Sequence, residues 1–394
     1  MRSFCFVTAT TLMLAILVTR ATPAGAESPT REAIDTINAL EKLGANHQQV
    51  QAAADQLRTL DSKSLPRLFD AMKSASPLAK NWFRGIAADI ARESGMPKSS
   101  ELMAYIVDRT RNPDGRALAL TMLMDVDAEA AEEVIAGALN DPSLLIRQRA
   151  VDAAIAKANT LESDEDKIEQ LRTTLAAARH PRQLEKLVRM LRDLKADVTI
   201  ADALQMWTRW QAIAPFDNRN EKGYAIAYPP EKQFVAGSGV DFDAKFDGKA
   251  GPVVWKIVEG DLESGYVDLA KAYNKEKGAI VYVTGTIDSI STVPAQVRLT
   301  TKNANKIWLN GKEIGANEVY HSGSVLDQYI CDCELVEGEN RFLLKLCQNE
   351  QEEGWAQEYA FQFRLTDPAG KPITAPRDAI ASEEESQGSH SADD

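Results

Sequence analysis

The chain has 394 residues, of which 44% are hydrophobic and 26% are charged, and its formal net charge at pH 7 is −13. This length predicts two or three domains, and the composition suits a globular protein with a full hydrophobic core. The acidic excess argues against nucleic acid as a partner, because such a chain repels phosphate backbones and no basic stripe is evident along it.

Residues 1–26 have the parts of a secretory signal peptide. Arg2 supplies a short basic start, an apolar run extends from Phe4 to Val18, and Ala24-Gly25-Ala26 provides a small-residue cleavage site. The apolar run and every later segment fall short of the roughly 20 residues that a transmembrane helix needs, although an uncleaved anchor is the alternative. The sequence therefore predicts a periplasmic or secreted protein. Its mature net charge is −15, since Arg2 and Arg20 leave with the signal and no acid does.

Residues 28–204 predict an all-helical domain. They are rich in Ala, Leu, Arg, Glu and Asp, and apolar residues recur at i, i+3 and i+4. Four prolines are predicted to open helices, where the missing N–H of proline does no harm. These are Pro77, Pro113, Pro142 and Pro181, at spacings of 36, 29 and 39 residues. Such spacings are typical of helical-hairpin repeats.

Residues 140–150, with the sequence Asn-Asp-Pro-Ser-Leu-Leu-Ile-Arg-Gln-Arg-Ala, carry a family resemblance. They resemble the second helix of a HEAT repeat, while the other three proline segments share only the proline and the apolar spacing. The resemblance implies an α-solenoid over about residues 30–200. One hairpin cannot bury its own apolar stripe, so neighbouring hairpins stack. Such a surface serves either as a protein-binding concavity or as a rigid spacer.

The composition changes near Met206, where aromatic residues and prolines replace the alanines. We place a domain boundary at 204/205 and predict a β domain over residues 205–367. Short strands separated by glycine turns are typical of an antiparallel β-sandwich or jelly roll. The predicted strands are 253–258, 279–287, 296–301, 306–309, 328–335, 341–346 and 358–365.

Asn310-Gly311 is the strongest turn signal of this region. A two-residue type I′ turn requires positive φ at both central positions, which Asn and Gly tolerate. Because side chains alternate along a strand, Ile307 and Trp308 are then on opposite faces of the sheet. The predicted pairs are Leu309 with Lys312, Trp308 with Glu313, and Ile307 with Ile314.

Four segments of the β region carry a second resemblance: residues 210–218, 228–231, 307–312 and 335–345. They resemble the galactose-binding-like β-sandwich that accompanies many secreted bacterial glycosidases and repeat proteins. The resemblance implies a jelly roll but specifies no ligand, because such domains bind sugars, bind nothing or simply pack. It also leaves a structural calcium ion as an option. The stretch from Asp241 to Gly248 is similar to a calcium loop, but Lys245 stands at a ligand position and opposes a cation there.

The sequence contains none of the common catalytic motifs, such as His-Glu-x-x-His or Gly-x-Ser-x-Gly, and we interpret the chain as non-enzymatic, with no catalytic or metal-ligand residues. His321, in a loop of the β region, is expected to be solvated.

Sugars are usually bound by exposed aromatic faces beside amides and carboxylates, and a packing role is the alternative for each tryptophan. The candidate ligand-binding residues are Trp355, Tyr359, Asn349, Glu353 and Trp308.

Removal of the signal leaves Cys331, Cys333 and Cys347, an odd number for an exported protein. If strands 328–335 and 341–346 pair across the turn between them, Cys331 comes close to Cys347. We predict a disulfide between these two residues, which would contribute roughly 3 kcal/mol by closing a loop of about 16 residues. Cys333 would then be a free thiol.

Residues 368–394 predict a disordered acidic tail, with three consecutive glutamates at 383–385.

The whole sequence predicts an exported binding or scaffold protein, whose sandwich engages a carbohydrate and whose helical repeats engage a protein. Two alternatives remain open. The first is a purely structural interaction module without sugar binding. The second is a glycan-active hydrolase or its accessory subunit, for which paired carboxylates in one cleft would be the sign.

Overall fold

The computed structural model describes residues 28–40, 45–237 and 239–373. These residues form two compact units, which divide between Ala131 and Glu132. The helical region extends to Leu204, and antiparallel strands follow from Arg209, so the predicted order of a helical and then a β region is confirmed. The predicted signal peptide and residues 374–394 of the predicted tail lie outside the described residues.

The helices of the first unit begin where local sequence signals place them. Ser76 and Asn112 cap two of them, since their side-chain oxygens accept hydrogen bonds from the N–H groups of Ala79 and Asp114 at 3.2 Å each. The bounds are α1 Ser28–Asn38, α2 His47–Arg58, α3 Leu65–Ala71, α4 Pro77–Ser94, α5 Ser99–Val107, α6 Pro113–Val126 and α7 Ala128–Ala136, the last of which crosses into the second unit.

The second unit continues with α8 (Leu144–Ala158), α9 (Asp164–Ala177), α10 (Pro181–Asp193) and α11 (Ile200–Leu204). Pro77, Pro113 and Pro181 open helices as predicted. Pro142 does not, because α8 begins two residues later, after a turn in which Asp141 Oδ1 accepts the Ser143 N–H at 2.8 Å.

Helices α8 to α11 pack in one unit with the β region. Their apolar faces form a core that includes Leu184, Leu187 and, from the β region, Leu326. The Trp207 N–H also donates to the Phe363 carbonyl at 2.9 Å. The change of secondary structure after Leu204 is therefore not a boundary between compact units.

The β region consists of antiparallel strands in two main sheets and a small hairpin. The order of the larger sheet is β4-β1-β6-β11-β8-β9, that of the smaller sheet is β10-β7-β12-β5, and β2 pairs with β3. The bounds are β1 Arg209–Asp217, β2 Phe246–Gly248, β3 Gly251–Val253, β4 Lys256–Glu259, β5 Val267–Asp268, β6 Ala279–Ser289, β7 Val293–Thr301, β8 Ala304–Leu309, β9 Lys312–Asn317, β10 Tyr329–Leu335, β11 Gly338–Gln348 and β12 Ala360–Thr366. Short helices α12 (Pro229–Val235) and α13 (Leu269–Ala272) lie in the connections.

The two main sheets share one apolar core. Trp210 from the larger sheet and Phe363 from the smaller sheet meet edge to face, with ring centroids 5.0 Å apart, and Phe342 lies 5.5 Å from Phe363. A second core lies on the other face of the larger sheet and includes Trp308 and Cys347. The larger sheet is therefore covered on both faces.

The Asn310-Gly311 turn has the predicted geometry, with φ values of +51° and +84°. The pairs Trp308 with Glu313 and Leu309 with Lys312 are confirmed, but Ile307 pairs with Gly315 instead of Ile314 because the strand bulges there. A Cβ at Gly315 would lie 2.5 Å from Cys331 Sγ, so a larger residue at this position would require the Cys331 side chain to shift.

The first residues of the predicted tail also differ from expectation. The Ile373 N–H donates to the Leu365 carbonyl at 2.8 Å, and Pro372 forms a bridge with Thr366. The chain thus folds back onto β12 before the described residues end.

The predicted disulfide is wrong. β10 pairs with β7 in the smaller sheet, whereas β11 pairs with β6 and β8 in the larger sheet, so the turn between them carries the chain from one sheet to the other. Cys331 packs against the core between the sheets, and Cys347 lies in the core on the opposite face of the larger sheet. Cys331, Cys333 and Cys347 are free thiols.

We expect mass mapping of the unreduced, denatured protein to find Cys331, Cys333 and Cys347 all alkylated. Burial raises the pKa of the Cys333 thiol to about 11 and that of the Cys347 thiol to about 12, which keeps both in the unreactive thiol form at neutral pH. The native protein should therefore react slowly with a thiol reagent. A peptide joining Cys331 to Cys347 would contradict the arrangement of the two sheets.

A buried ionic cluster covers the outer face of the smaller sheet. The Asp327 carboxylate accepts from Arg364 Nε at 2.8 Å and from Arg298 Nη1 at 2.9 Å, and all three residues are buried. Burial alone would raise the pKa of the Asp327 carboxyl, but the hydrogen bonds and charges of the two arginines outweigh it and hold the pKa below its usual value.

We expect Asp327→Asn to lower the free energy of unfolding by roughly 3–5 kcal/mol, because two buried guanidinium groups lose their counter-ion. Urea unfolding at pH 7 measures this loss. The folded-state pKa of Asp327 is depressed, so its contribution is present above about pH 4, near the unfolded value of about 3.9, and fades as the pH falls through the folded value.

The matched control is Asp288→Asn, since Asp288 is exposed on the larger sheet. It should change the stability by less than about 0.5 kcal/mol. Equal effects of the two substitutions at pH 7 would contradict the role assigned to Asp327.

Candidate functional site

One end of the two sheets gathers the long loops of the β region. The last residues of β1 and of β11 both lie beside the start of β6, because Asp217 and Gln348 each pair with Ala279. Loops at the end of a rigid sheet pair are the usual place for a binding site. Two open depressions lie among these loops.

We call the first depression the Trp355 groove. It has a volume of about 880 Å³. It is lined by residues from the turn before β5, from the loop before β10 and from the segment before β12, together with Lys275 and Lys302. The second, the acidic depression, has a volume of about 900 Å³ and is lined by Asn220, Glu221 and residues 349–353.

Trp355 is the exposed aromatic residue of the groove. It lies in a short 3₁₀ turn, Gly354–Ala356, and 59% of its surface is exposed. The His321 ring meets it edge to face, with centroids 5.0 Å apart and planes at 88°. This contact holds the indole beside the groove while most of the ring faces solvent.

His321 is fixed from the opposite side by Asn349. His321 Nε2 donates to Asn349 Oδ1 at 2.7 Å, and Asn349 Nδ2 donates to Glu221 Oε1 and to Gln351 Oε1 at 3.0 Å each. His321 also has a positive φ of +53°, a left-handed conformation that a non-glycine residue keeps only when its surroundings hold it there. A chain of contacts therefore connects Trp355 with the acidic depression.

The rest of the groove offers polar groups that are already oriented. The Tyr266 hydroxyl lies 3.0 Å from Ser324 Oγ, and Lys302 forms a 2.5 Å ion pair with Glu358. Two further carboxylates are also engaged. Ser264 Oγ donates to Asp261, and Asp268 caps α13 by accepting the Lys271 N–H at 2.9 Å. Such groups can exchange hydrogen bonds with a ligand rich in hydroxyls.

The structure separates the candidate residues that the sequence grouped together. Tyr359 is 1% exposed and donates its hydroxyl to the Leu346 carbonyl at 2.6 Å, so its ring belongs to the core between the sheets. Trp308 is 3% exposed and packs in the core on the other face of the larger sheet. Neither presents a free aromatic face on which a sugar could stack, although Tyr359 is among the residues that line the Trp355 groove. Ligand contact by these two residues stays a prediction.

Of the other candidates, Asn349 is buried, and its amide oxygen and nitrogen both form hydrogen bonds within the protein, so this residue supports the site. Glu353 is exposed at the acidic depression.

The sequence did not indicate His321, Tyr266, Lys302 and Glu358 as groove residues. No local signal marks them, because they reach the groove from separate loops.

The described part of the chain contains no group of three or more His, Cys, Asp or Glu side chains arranged to hold a metal ion. The calcium option stays a prediction without a ligand set. None of the described helices combines the length and apolar character that a membrane crossing requires.

No protein-family model matches the chain, and no curated protein matches it. Among solved structures, a β-glucosidase from Kluyveromyces marxianus in complex with glucose is similar over 59% of this chain, with 11% identity and a TM-score of 0.22. A selenomethionine-labelled form of that enzyme gives 10% identity and the same TM-score. The chain spans 37% and 38% of those two structures. A likeness of this size defines neither the fold nor the activity of the chain.

We expect Asn349→Ala to loosen the Trp355 loop, since it removes the partners of His321 Nε2 and of Glu221. Loss of these buried hydrogen bonds should cost roughly 1–3 kcal/mol. Hydrogen exchange should accelerate in residues 318–324 and 350–356. Asn159→Ala, at an exposed position after α8, is the control and should leave both segments unchanged. Unaltered exchange in the Asn349 variant would show that this side chain does not hold the loop.

Proposed function

We propose that this chain is an exported, non-enzymatic binding or scaffold protein whose β region binds carbohydrate in the Trp355 groove. The supporting observation is a largely exposed indole at the rim of a groove lined with hydroxyl, carboxylate and ammonium groups. The C–H face of a sugar ring can stack on an aromatic face, while its hydroxyls bond to the polar groups beside it.

We further propose that the β region is a galactose-binding-like jelly roll. Two sheets that share one core support a sandwich. The chain also changes sheet at β4–β5, β5–β6, β6–β7, β7–β8, β9–β10, β10–β11 and β11–β12, which is typical of a jelly roll.

For the helices we propose a HEAT-like solenoid that binds a protein. In the first unit α1 packs on α2, α3 on α4, and α5 on α6, while in the second unit α8 packs on α9 and α9 on α10. This nearest-neighbour pattern suits stacked hairpins. Leu78 and Val107 are more than half exposed on helices of the first unit and would suit a protein partner.

Glycan hydrolysis is the second candidate function, because Asp261, Asp268 and Glu358 line the same groove. A glycosidase uses two carboxylates, one on each side of the scissile bond. All three carboxylates are bound to other groups of this chain. This engagement supports ligand recognition over acid and base chemistry.

The test is a binding screen of the full chain against soluble and insoluble polysaccharides. Trp355→Ala should weaken binding by about tenfold, since an aromatic stacking contact contributes roughly 1.5 kcal/mol. Phe242→Ala is the matched control, because Phe242 is 45% exposed and does not line the groove. It should bind as the unaltered chain does.

Three results would contradict the proposal. Failure to bind any polysaccharide, or equal binding by the Trp355 variant, would favour a purely structural interaction module. Release of reducing ends from a bound polysaccharide would favour the hydrolase, and Glu358→Gln would then show whether that carboxylate takes part.

A further inference from the structure

Helix α10 presents basic side chains that have no partner among the described residues. Arg182, Lys186 and Arg189 are exposed, and their i, i+4 and i+7 spacing places them on one face. Inspection of the sequence missed this stripe because it becomes continuous only on a helix. By contrast, Lys80 and Arg92 on α4 form ion pairs with Asp114 and Asp89 at 2.6 Å.

The positive charge extends beyond the N-terminal end of α10. Arg179 lies two residues before Pro181. Burial first, and then the like charges of Arg147 and Arg364, lower the pKa of Arg179, so these guanidinium groups lie close enough to repel one another. Glu185 and Asp193 on the helix and Asp367 nearby offset part of this charge. We call Arg179, Arg182, Lys186 and Arg189 the basic face.

The described chain touches this basic face three residues before its last described residue. A Cβ on Gly370 would lie 3.5 Å from Arg179 Cδ and 3.2 Å from Arg298 Nη2, so the turn at Gly370 touches Arg179. Ile373, the last described residue, is held on β12 by its hydrogen bond to the Leu365 carbonyl at 2.8 Å. Ile373 is three residues beyond Gly370, so the described chain ends within about 10 Å of the turn that touches Arg179.

Residues 374–394 are complementary in charge to the basic face. They contain Asp378, Asp393, Asp394 and the three glutamates at 383–385, against a single Arg377. The ten residues from Ile373 to Glu383 can span up to about 33 Å. Arg189 lies only about 12 Å along the helix from Pro181. The glutamates can thus reach every residue of the basic face.

We propose that residues 374–394 dock on the basic face of α10 as an acidic strap supplied by the same chain. A single exposed ion pair is weak, so the contact depends on several pairs together. It also depends on the tether, which keeps the local concentration of the strap high. Salt should release the strap, because exposed charges are screened within about 3 Å at 1 M ionic strength.

The experiment is carbodiimide cross-linking of the full chain, read by mass spectrometry. The reagent joins a lysine amine to a carboxylate in contact with it as an amide, and the water lost is taken up by the carbodiimide. We expect Lys186 to be joined to Glu383, Glu384 or Glu385 at low salt, with at least a fivefold lower yield at 1 M sodium chloride. Lys222 and Lys312, which are exposed in the β region, are the control lysines and should give little of this product.

A charge variant makes the test specific. Arg182→Gln with Arg189→Gln keeps Lys186 but removes its basic neighbours, and it should lower the yield several-fold. The matched control, Lys222→Gln with Lys312→Gln, removes two positive charges elsewhere and should leave the yield unchanged.

Three results would overturn the proposal. The first is a cross-link yield between Lys186 and the glutamates that is no higher than the yield for Lys222. The second is a cross-link yield at Lys186 that does not change with salt. Third, in a mixture of ¹⁵N-labelled and unlabelled chains, the cross-link could join two copies, which would make a second copy the occupant of the basic face.

Discussion

Burial of two sheets against each other is the constraint on which the rest of the β region depends. Side chains alternate along a strand, so a sheet that turns one set of residues toward the shared core turns the other set outward. Phe342 and Leu344 of β11 face the core between the sheets, while Leu343 and Cys347 of the same strand face away from it. The outer face of each sheet must then be covered by other elements or must be polar. The end of the two sheets where the loops meet is left uncovered, and the Trp355 groove lies at that end.

The two outer faces are covered in different ways, and each covering holds a buried charge. On the larger sheet, Lys345 is fully buried and donates to the Tyr224 and Ile226 carbonyls at 2.9 and 2.7 Å and to Glu231 at 3.1 Å. These bonds attach the connection that contains α12 to the sheet. On the smaller sheet, Asp327 joins two arginines beneath α8 to α11. Buried charges of this kind tolerate little change, because removal of one partner leaves the other unpaired in an apolar setting.

The candidate site follows from this arrangement of loops. Glu221, His321 and Asn349 come from three separate loops, and their hydrogen bonds form only because β1, β9 and β11 end at the same edge. The position of Trp355 is held by His321, whose ring packs against the indole, and by Asn349, which forms hydrogen bonds with His321 and Gln351. The exposure of Trp355 is thus a property of the assembled sheets.

Local signals in the sequence determined the local structure well. The prolines at 77, 113 and 181 open helices, the Asn310-Gly311 turn takes positive φ at both positions, and the change of composition near Met206 marks the change from helices to strands. Each of these follows from the conformational limits of a few adjacent residues. Two features were not predicted, because adjacent residues carry no signal for them. β1 carried no clear alternation and was not predicted as a strand. The bulge at Gly315 lies against Cys331 of a different sheet, a contact that adjacent residues do not signal.

Only the tertiary structure decided which residues meet. A strand, a turn and a second strand look the same in sequence whether they form a hairpin or cross between two sheets, and the disulfide prediction was wrong for this reason. Exposure is also a long-range property, so Trp355, Trp308 and Tyr359 were equivalent in sequence although just one of them reaches solvent. The Trp355 groove and the basic face of α10 arise in the same way, because their residues become neighbours only after the strands have paired and the helix has formed.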